Sequence, residues 1–182
     1  ISRTLHADVL TESAKNYYLG QVYGLRAYYM YQLYRSWGDV VFTEEPSLGF
    51  EVGKLAKAAT PAAEIFEQVK KDIESSLSYF GSDYTIKEKK SLWSKAATLM
   101  LKADVYLWSA HRDGGEGDAR TAKNALVDIQ NNISRSNLDL MDTYQGVFAY
   151  DNKGNKEIIF TIHNELFEYN LWNGNNDLFP QA

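Results

Sequence analysis

Near its C-terminus the chain reads EYNLWNGNN, residues 168–176. Tyr169 and Trp172 bring flat apolar faces with polar edges, and Asn170, Asn173 and Asn175 bring amides that both donate and accept. Glu168 adds an acceptor. Rings stack on the C–H faces of a sugar, and amides and carboxylates take up its hydroxyls. No hydrophobic period operates in this stretch, so Tyr169, Asn170, Trp172, Asn173 and Asn175 are read as candidate ligand-binding residues. The same composition also serves as an aromatic anchor holding an irregular loop to helices, and both readings stand at this point.

Other reactive side chains form no catalytic pattern. His6, His111 and His163 are far apart and make no HExxH, and there is no G-x-S-x-G. DGGEGD, Asp113 to Asp118, follows a helical pattern instead of a strand, so it is no phosphate loop, and its spacing does not match an EF-hand. It reads as a solvated turn. Glu44 and Glu45 are adjacent and diverge in an extended segment, which is poor geometry for a general acid/base pair. No catalytic residue, metal or cofactor is expected.

The elements that would position the tail are helical. A first helix is predicted from about Glu12 to Trp37. At roughly 100° per residue, Tyr18, Val22, Leu25, Tyr29, Leu33 and Trp37 share one side. Gly20, Gly24, Ala27 and Tyr31 share the other, and a helix apolar on two faces is expected to be covered on both. Thr60 is the expected N-cap of a second helix with Pro61 in its first turn. Phe66, Val69, Ile73, Leu77 and Phe80 form its stripe, and Gly81 ends it. A third helix, about Leu92 to Ala110, has Lys95, Thr98, Lys102 and Ser109 as a narrow polar stripe, with Asp104 directed inward. A fourth runs from about Ala119 to Ile133 and buries Ala122, Ala125, Leu126, Ile129 and Ile133. EIIFTIH, Glu157 to His163, is β-branched and predicts a short strand. Asn164 to Asn176 reads as a long polar-aromatic loop.

Arg26 falls near the Val22 and Leu33 face, where an unpaired charge is costly. Asp104 is its first candidate partner and Asp39 its second, in a buried ion pair that fixes the first helix against the third. The regularly spaced tyrosines of the first helix read as packing between helices.

The 182 residues suffice for one ordinary domain, with 45% hydrophobic and 24% charged residues. Aromatic content reaches 14%, mostly from 13 tyrosines. A net charge of −5 argues against a nucleic-acid partner, because phosphates require a dense Lys/Arg face. Cysteine is absent, so no disulfide constrains the fold, and no apolar run is long enough to span a membrane as a helix. Neither end carries a start or stop signal, and the chain is read as a fragment.

Five stretches, in order, resemble the SusD/RagB family of surface nutrient-binding lipoproteins of Bacteroidetes. They are GLRAYYMYQLYRSWGDV, EIFEQVKKDIESSL, SLWSKAATLMLKADVYLWSA, LDLMDTYQGVF and GNKEIIFTI. Val41 departs from the pattern, which places proline after G-D-V. The resemblance implies a mostly α fold of four tetratricopeptide-like helical hairpins beside an irregular, loop-rich lobe. On this reading residues 1–137 are the hairpin region and 138–182 open the ligand-side lobe. The resemblance further implies non-catalytic capture of oligosaccharides at the outer membrane, for a SusC-like TonB-dependent transporter. Membrane contact would run through a lipid anchor outside this chain. A tetratricopeptide scaffold for protein or peptide partners is the alternative, and a glycan-acting hydrolase a third.

Overall fold

The computed structural model describes residues 10–44, 56–87 and 89–163. They fold into α1 (Glu12–Trp37), α2 (Ala62–Phe80), α3 (Lys95–Ser109) and α4 (Gly115–Asn131), followed by the short α5 (Tyr144–Val147) and a 3-10 turn, Tyr150–Asn152. α1 opens where the Thr11 side chain accepts from the Ala14 N–H at 3.3 Å. It closes at Gly38, whose φ of 74° lies in the left-handed region.

Thr60 is not the cap of α2. It pairs with Val40 in an isolated antiparallel bridge, and Asp39 Oδ1 instead accepts the Ala62 N–H at 2.8 Å. The first orphan amide of α2 is thus satisfied by the segment that ends α1. Ser94 caps α3 by accepting from the Ala97 N–H at 3.2 Å. The DGGEGD stretch at its end is largely exposed, as expected, but helical: Ala110–Gly114 forms a π-helical turn and α4 follows at Gly115.

α1 and α2 pair antiparallel, with Gly20 opposite Phe80, Arg26 opposite Asp72 and Tyr34 opposite Phe66. α3 and α4 make a second hairpin, and α2 lies against α3 through Ser76–Thr98 and Glu74–Lys102. The fold is mostly helical, of tetratricopeptide type, and the described residues hold two hairpins of the four implied. One core joins Ala27, Tyr31, Val69, Ile73, Trp93, Leu101 and Val105. A second joins Ala96, Leu99, Ala103, Ala122, Ala125 and Ile129. No helix among the described residues is long and apolar enough to cross a membrane.

Several faces differ from expectation. α1 buries the small face, Gly20, Gly24, Ala27 and Tyr31, while Tyr18, Tyr29 and Trp37 are 46%, 55% and 63% exposed. Small residues let rings lie on the helix backbone: a Cβ on Gly20 would come within 3.0 Å of the Phe80 ring, and one on Gly24 would overlap the Trp93 indole. The polar stripe of α3 turns inward. Lys95, Thr98 and Ser109 are buried, and Thr98 Oγ1 accepts the Trp93 indole N–H at 2.8 Å and bonds Ser76 Oγ at 2.9 Å. Ser76 donates onward to the Gly20 carbonyl at 2.7 Å, so the network is satisfied internally. Asp104, expected inside, is exposed beside Arg35 at 3.8 Å. Leu126 and Ile133 of the fourth stripe are also exposed.

The short strand expected at Glu157 to His163 is not formed. The segment is irregular, because among the described residues no neighbouring strand receives its backbone groups. Its amides bond locally or to a turn: Glu157 N–H donates to Asn155 Oδ1 at 3.0 Å, Ile158 N–H to the Asn155 carbonyl at 3.3 Å and Thr161 N–H to the Lys90 carbonyl at 3.1 Å. Its apolar residues Ile159 and Phe160 pack against the helices instead.

Candidate functional site

Arg26 is paired, but with neither expected partner. Its Nε and Nη2 donate to Asp72 Oδ2 and Oδ1, each at 2.6 Å, and Gln68 Nε2 donates to the same Oδ1 at 2.9 Å. Glu44 lies 3.9 Å away, and the Tyr23 ring lies 5.2 Å beneath the guanidinium. The hydrogen bonding with Asp72 holds the guanidinium above its ordinary pKa against the opposing effect of burial. Asp72 is on α2, so the pair locks α1 to α2 and not to α3, while Asp39 is engaged as a cap. This is a structural device, with its hydrogen-bonding capacity turned inward.

A groove of about 410 Å³ runs between α1, α3 and residues 157–160. Its rings are Tyr28, Trp93 and Phe160, with Trp93 and Phe160 edge-on at 5.0 Å and Tyr28 5.6 Å from Trp93. Gln32, Asp104 and Glu157 bring an amide and two carboxylates to its walls. The local sequence explains the placement. Tyr28 and Gln32 are one helical turn apart on α1, as are Met100 and Asp104 on α3, so each pair presents one side to the groove. An apolar, ring-bearing floor with a few polar groups is the usual make-up of a small-molecule site. A larger hollow of about 840 Å³ beside α2 mixes Glu44, Glu64 and Glu67 with Lys57 and Lys71, and among the described residues Phe42 is its one lining ring. It offers no comparable stacking floor.

The candidate ligand residues Tyr169, Asn170, Trp172, Asn173 and Asn175 lie outside the described residues, as does Glu168. The wall formed by 157–160 belongs to the segment that precedes them in sequence. Tyr28, Gln32 and Phe160 were not singled out by the sequence, although the one-turn spacing of an aromatic and an amide on α1 was a readable signal. Among the described residues, no group of His, Asp and Glu is arranged to hold a metal ion.

No family model matches the chain. A curated relative, SusD-like protein P38 of Formosa agariphila, is 34% identical over 113 residues, covering 60% of this chain and 20% of the relative. Among solved structures, NanU of B. fragilis is 47% identical with a TM-score of 0.83, over 95% of this chain and 34% of that one. A SusD superfamily protein from Bacteroides vulgatus is 44% identical with a TM-score of 0.80, over 94% of this chain and 34% of that one. The chain thus spans about a fifth of that curated relative and about a third of those solved chains. The paired hairpins, the aromatic α1 laid glycine-face down on α2, and these likenesses agree: the chain belongs to the SusD/RagB family.

Proposed function

We propose that the protein captures oligosaccharides at the cell surface without altering them and passes them to a SusC-like TonB-dependent transporter. It would do so as an outer-membrane lipoprotein, tethered through a lipid anchor. Family membership supports this reading, and one observation carries it. The groove between α1 and α3 joins three rings to an amide and two carboxylates, and its wall at 157–160 precedes the Tyr169 to Asn175 sequence. Residues 1–137 would form the platform and 138–182 the start of the ligand-side lobe, with Tyr169, Asn170, Trp172, Asn173 and Asn175 completing the contact. Affinity would come from sugar C–H faces stacked on rings and from hydroxyls bonded to amides. The mechanism is binding and release, with no bond of the ligand broken.

A glycan array probed with the chain, with product analysis of each hit, tests the proposal. Retention of one glycan class with no products is the expected result. Peptide binding with no glycan retained would replace it with a scaffold role, which the stacked hairpins also favour. Released sugar fragments would replace it with hydrolysis.

A further inference from the structure

The chain carries a net charge of −5, yet one of its cavities gathers cations. This cavity, about 360 Å³, lies where the turn before α3 meets the turn after α4 and the segment around Lys153. Lys89, Lys90, Lys153 and His163 line it together with Ser136. Among the described residues, no carboxylate lines it. Lys153 rests its ammonium 4.0 Å over the Tyr150 ring, a contact that brings no opposite charge. Burial pulls the Lys90 ammonium below its ordinary pKa, which is the cost of half-sheltering a cation.

Ser136 is the second and independent observation. It is 1% exposed, and its hydroxyl meets no hydrogen-bond partner among the described residues. Buried hydroxyls are nearly always bonded, so an unbonded one on the wall of a cationic cavity points to a ligand atom. The frame is fixed: the Thr161 N–H donates to the Lys90 carbonyl at 3.1 Å, and the buried Asn155 bonds the Val147 and Asn152 carbonyls, each at 2.9 Å. The volume exceeds that of one anionic group and admits part of the molecule that bears it.

We infer that this cavity binds an oxyanion, a carboxylate or sulfate, with Lys89, Lys90 and Lys153 supplying charge and Ser136 a hydroxyl donor. The anion is either inorganic or borne on a saccharide, and the saccharide source rests on the proposed capture of glycans. The two sources share one chemistry: charge-assisted hydrogen bonds from ammonium groups to anionic oxygens.

Calorimetric titration of the full chain with sodium sulfate, sodium galacturonate and galactose, at low ionic strength, tests this. Sulfate and galacturonate are expected to bind, and to weaken as sodium chloride is added. Lys90→Gln and Lys153→Gln should each weaken both roughly tenfold or more without moving the melting temperature. Tighter binding of galacturonate than of sulfate identifies the saccharide source, and the reverse the inorganic one. If a lysine variant melts early, Ser136→Ala decides, because its hydroxyl holds no bond among the described residues. Absence of binding by both anions, or binding indifferent to all three substitutions, overturns the site. Anion binding by a chain that retains no glycan on the array upholds the cavity and removes the glycan reading. Neutral glycans retained with no anion bound does the opposite.

Discussion

Arg26 grips Asp72 with two parallel hydrogen bonds, Nε to Oδ2 and Nη2 to Oδ1, both 2.6 Å long. The Asp72 side chain is 2% exposed and the Arg26 side chain 18%, so removing the arginine strands a carboxylate inside the first hairpin. Arg26→Leu is expected to cost about 3 kcal/mol, the lower end for a broken buried pair because Arg26 keeps an edge in water. Arg26→Met combined with Asp72→Leu should recover much of that loss. Urea denaturation of the single and double variants measures both, and an unchanged midpoint for Arg26→Leu would refute the role.

Gly24 has no room for a side chain. A Cβ there overlaps the Trp93 indole, which is itself held by Thr98 at 2.8 Å and is 3% exposed. Gly24→Ala should gain roughly 1 kcal/mol in helix propensity yet lose about 2 kcal/mol net, since neither the ring nor the helix can yield cheaply. Gly20→Ala, where the nearest ring atom would stand at 3.0 Å, should lose less. Thermal melts order the two variants.

Two buried phenols should respond oppositely to loss of the hydroxyl. Tyr84 donates to Asp128 at 2.7 Å, so Tyr84→Phe should cost about 1 kcal/mol. The buried Tyr31 hydroxyl meets no hydrogen-bond partner of good geometry among the described residues, the Arg35 guanidinium lying over its ring at 4.8 Å, so Tyr31→Phe should be neutral or stabilising. Burial pushes both phenols up to about 12, helped at Tyr84 by the bond to Asp128 and at Tyr31 by the charge of Asp104. The fold therefore prefers the neutral phenol. The stability it gains there is complete below about pH 10, the ordinary tyrosine value, and is lost as pH rises through the folded-state value. Denaturation midpoints measured across pH 9 to 12 should fall, and less steeply in Tyr84→Phe.

Trp172→Ala should leave the melting temperature unchanged and abolish glycan retardation in affinity electrophoresis. Gln32→Ala, on the wall of the α1–α3 groove, should weaken retardation about tenfold through one lost hydrogen bond to a sugar hydroxyl. Full retardation of both variants would move the contact elsewhere on the molecule.

The existence and order of the helices were legible, because apolar spacing and punctuating glycines mark them. The buried stripe of α2 was legible too, and Val69, Ile73 and Phe80 lie in the core as expected. Which face of α1 is inside was not. Its apolar residues are spread around the axis, and the deciding factor is how closely Phe80 and Trp93 approach Gly20 and Gly24, a property of the partners. Arg26 was correctly placed in an ion pair, but its acid lies on α2, 46 residues away, a separation that helical angles alone do not order. The strand failed for a similar reason: Ile158 to Ile162 has strand composition, yet a strand is a relation between two segments, and among the described residues only Lys90 answers from another segment. Of the site, the sequence picked out Tyr169 to Asn175, which lie outside the described residues, and passed over Tyr28, Gln32 and Phe160, which converge only once the chain is folded.

The second hairpin has no slack at its bend. α3 runs through the π-helical Ala110–Gly114 directly into α4 at Gly115. The backbone leaves the helical path at Gly115, whose φ is 55°, and beyond it one residue inserted or deleted within α4 before Ala122 would spin the rest of that helix by roughly 100° and swing Ala122, Ala125 and Ile129 away from Leu99 and Ala103. A length change just ahead of that face is therefore costly in a way that one in the irregular stretches between hairpins is not.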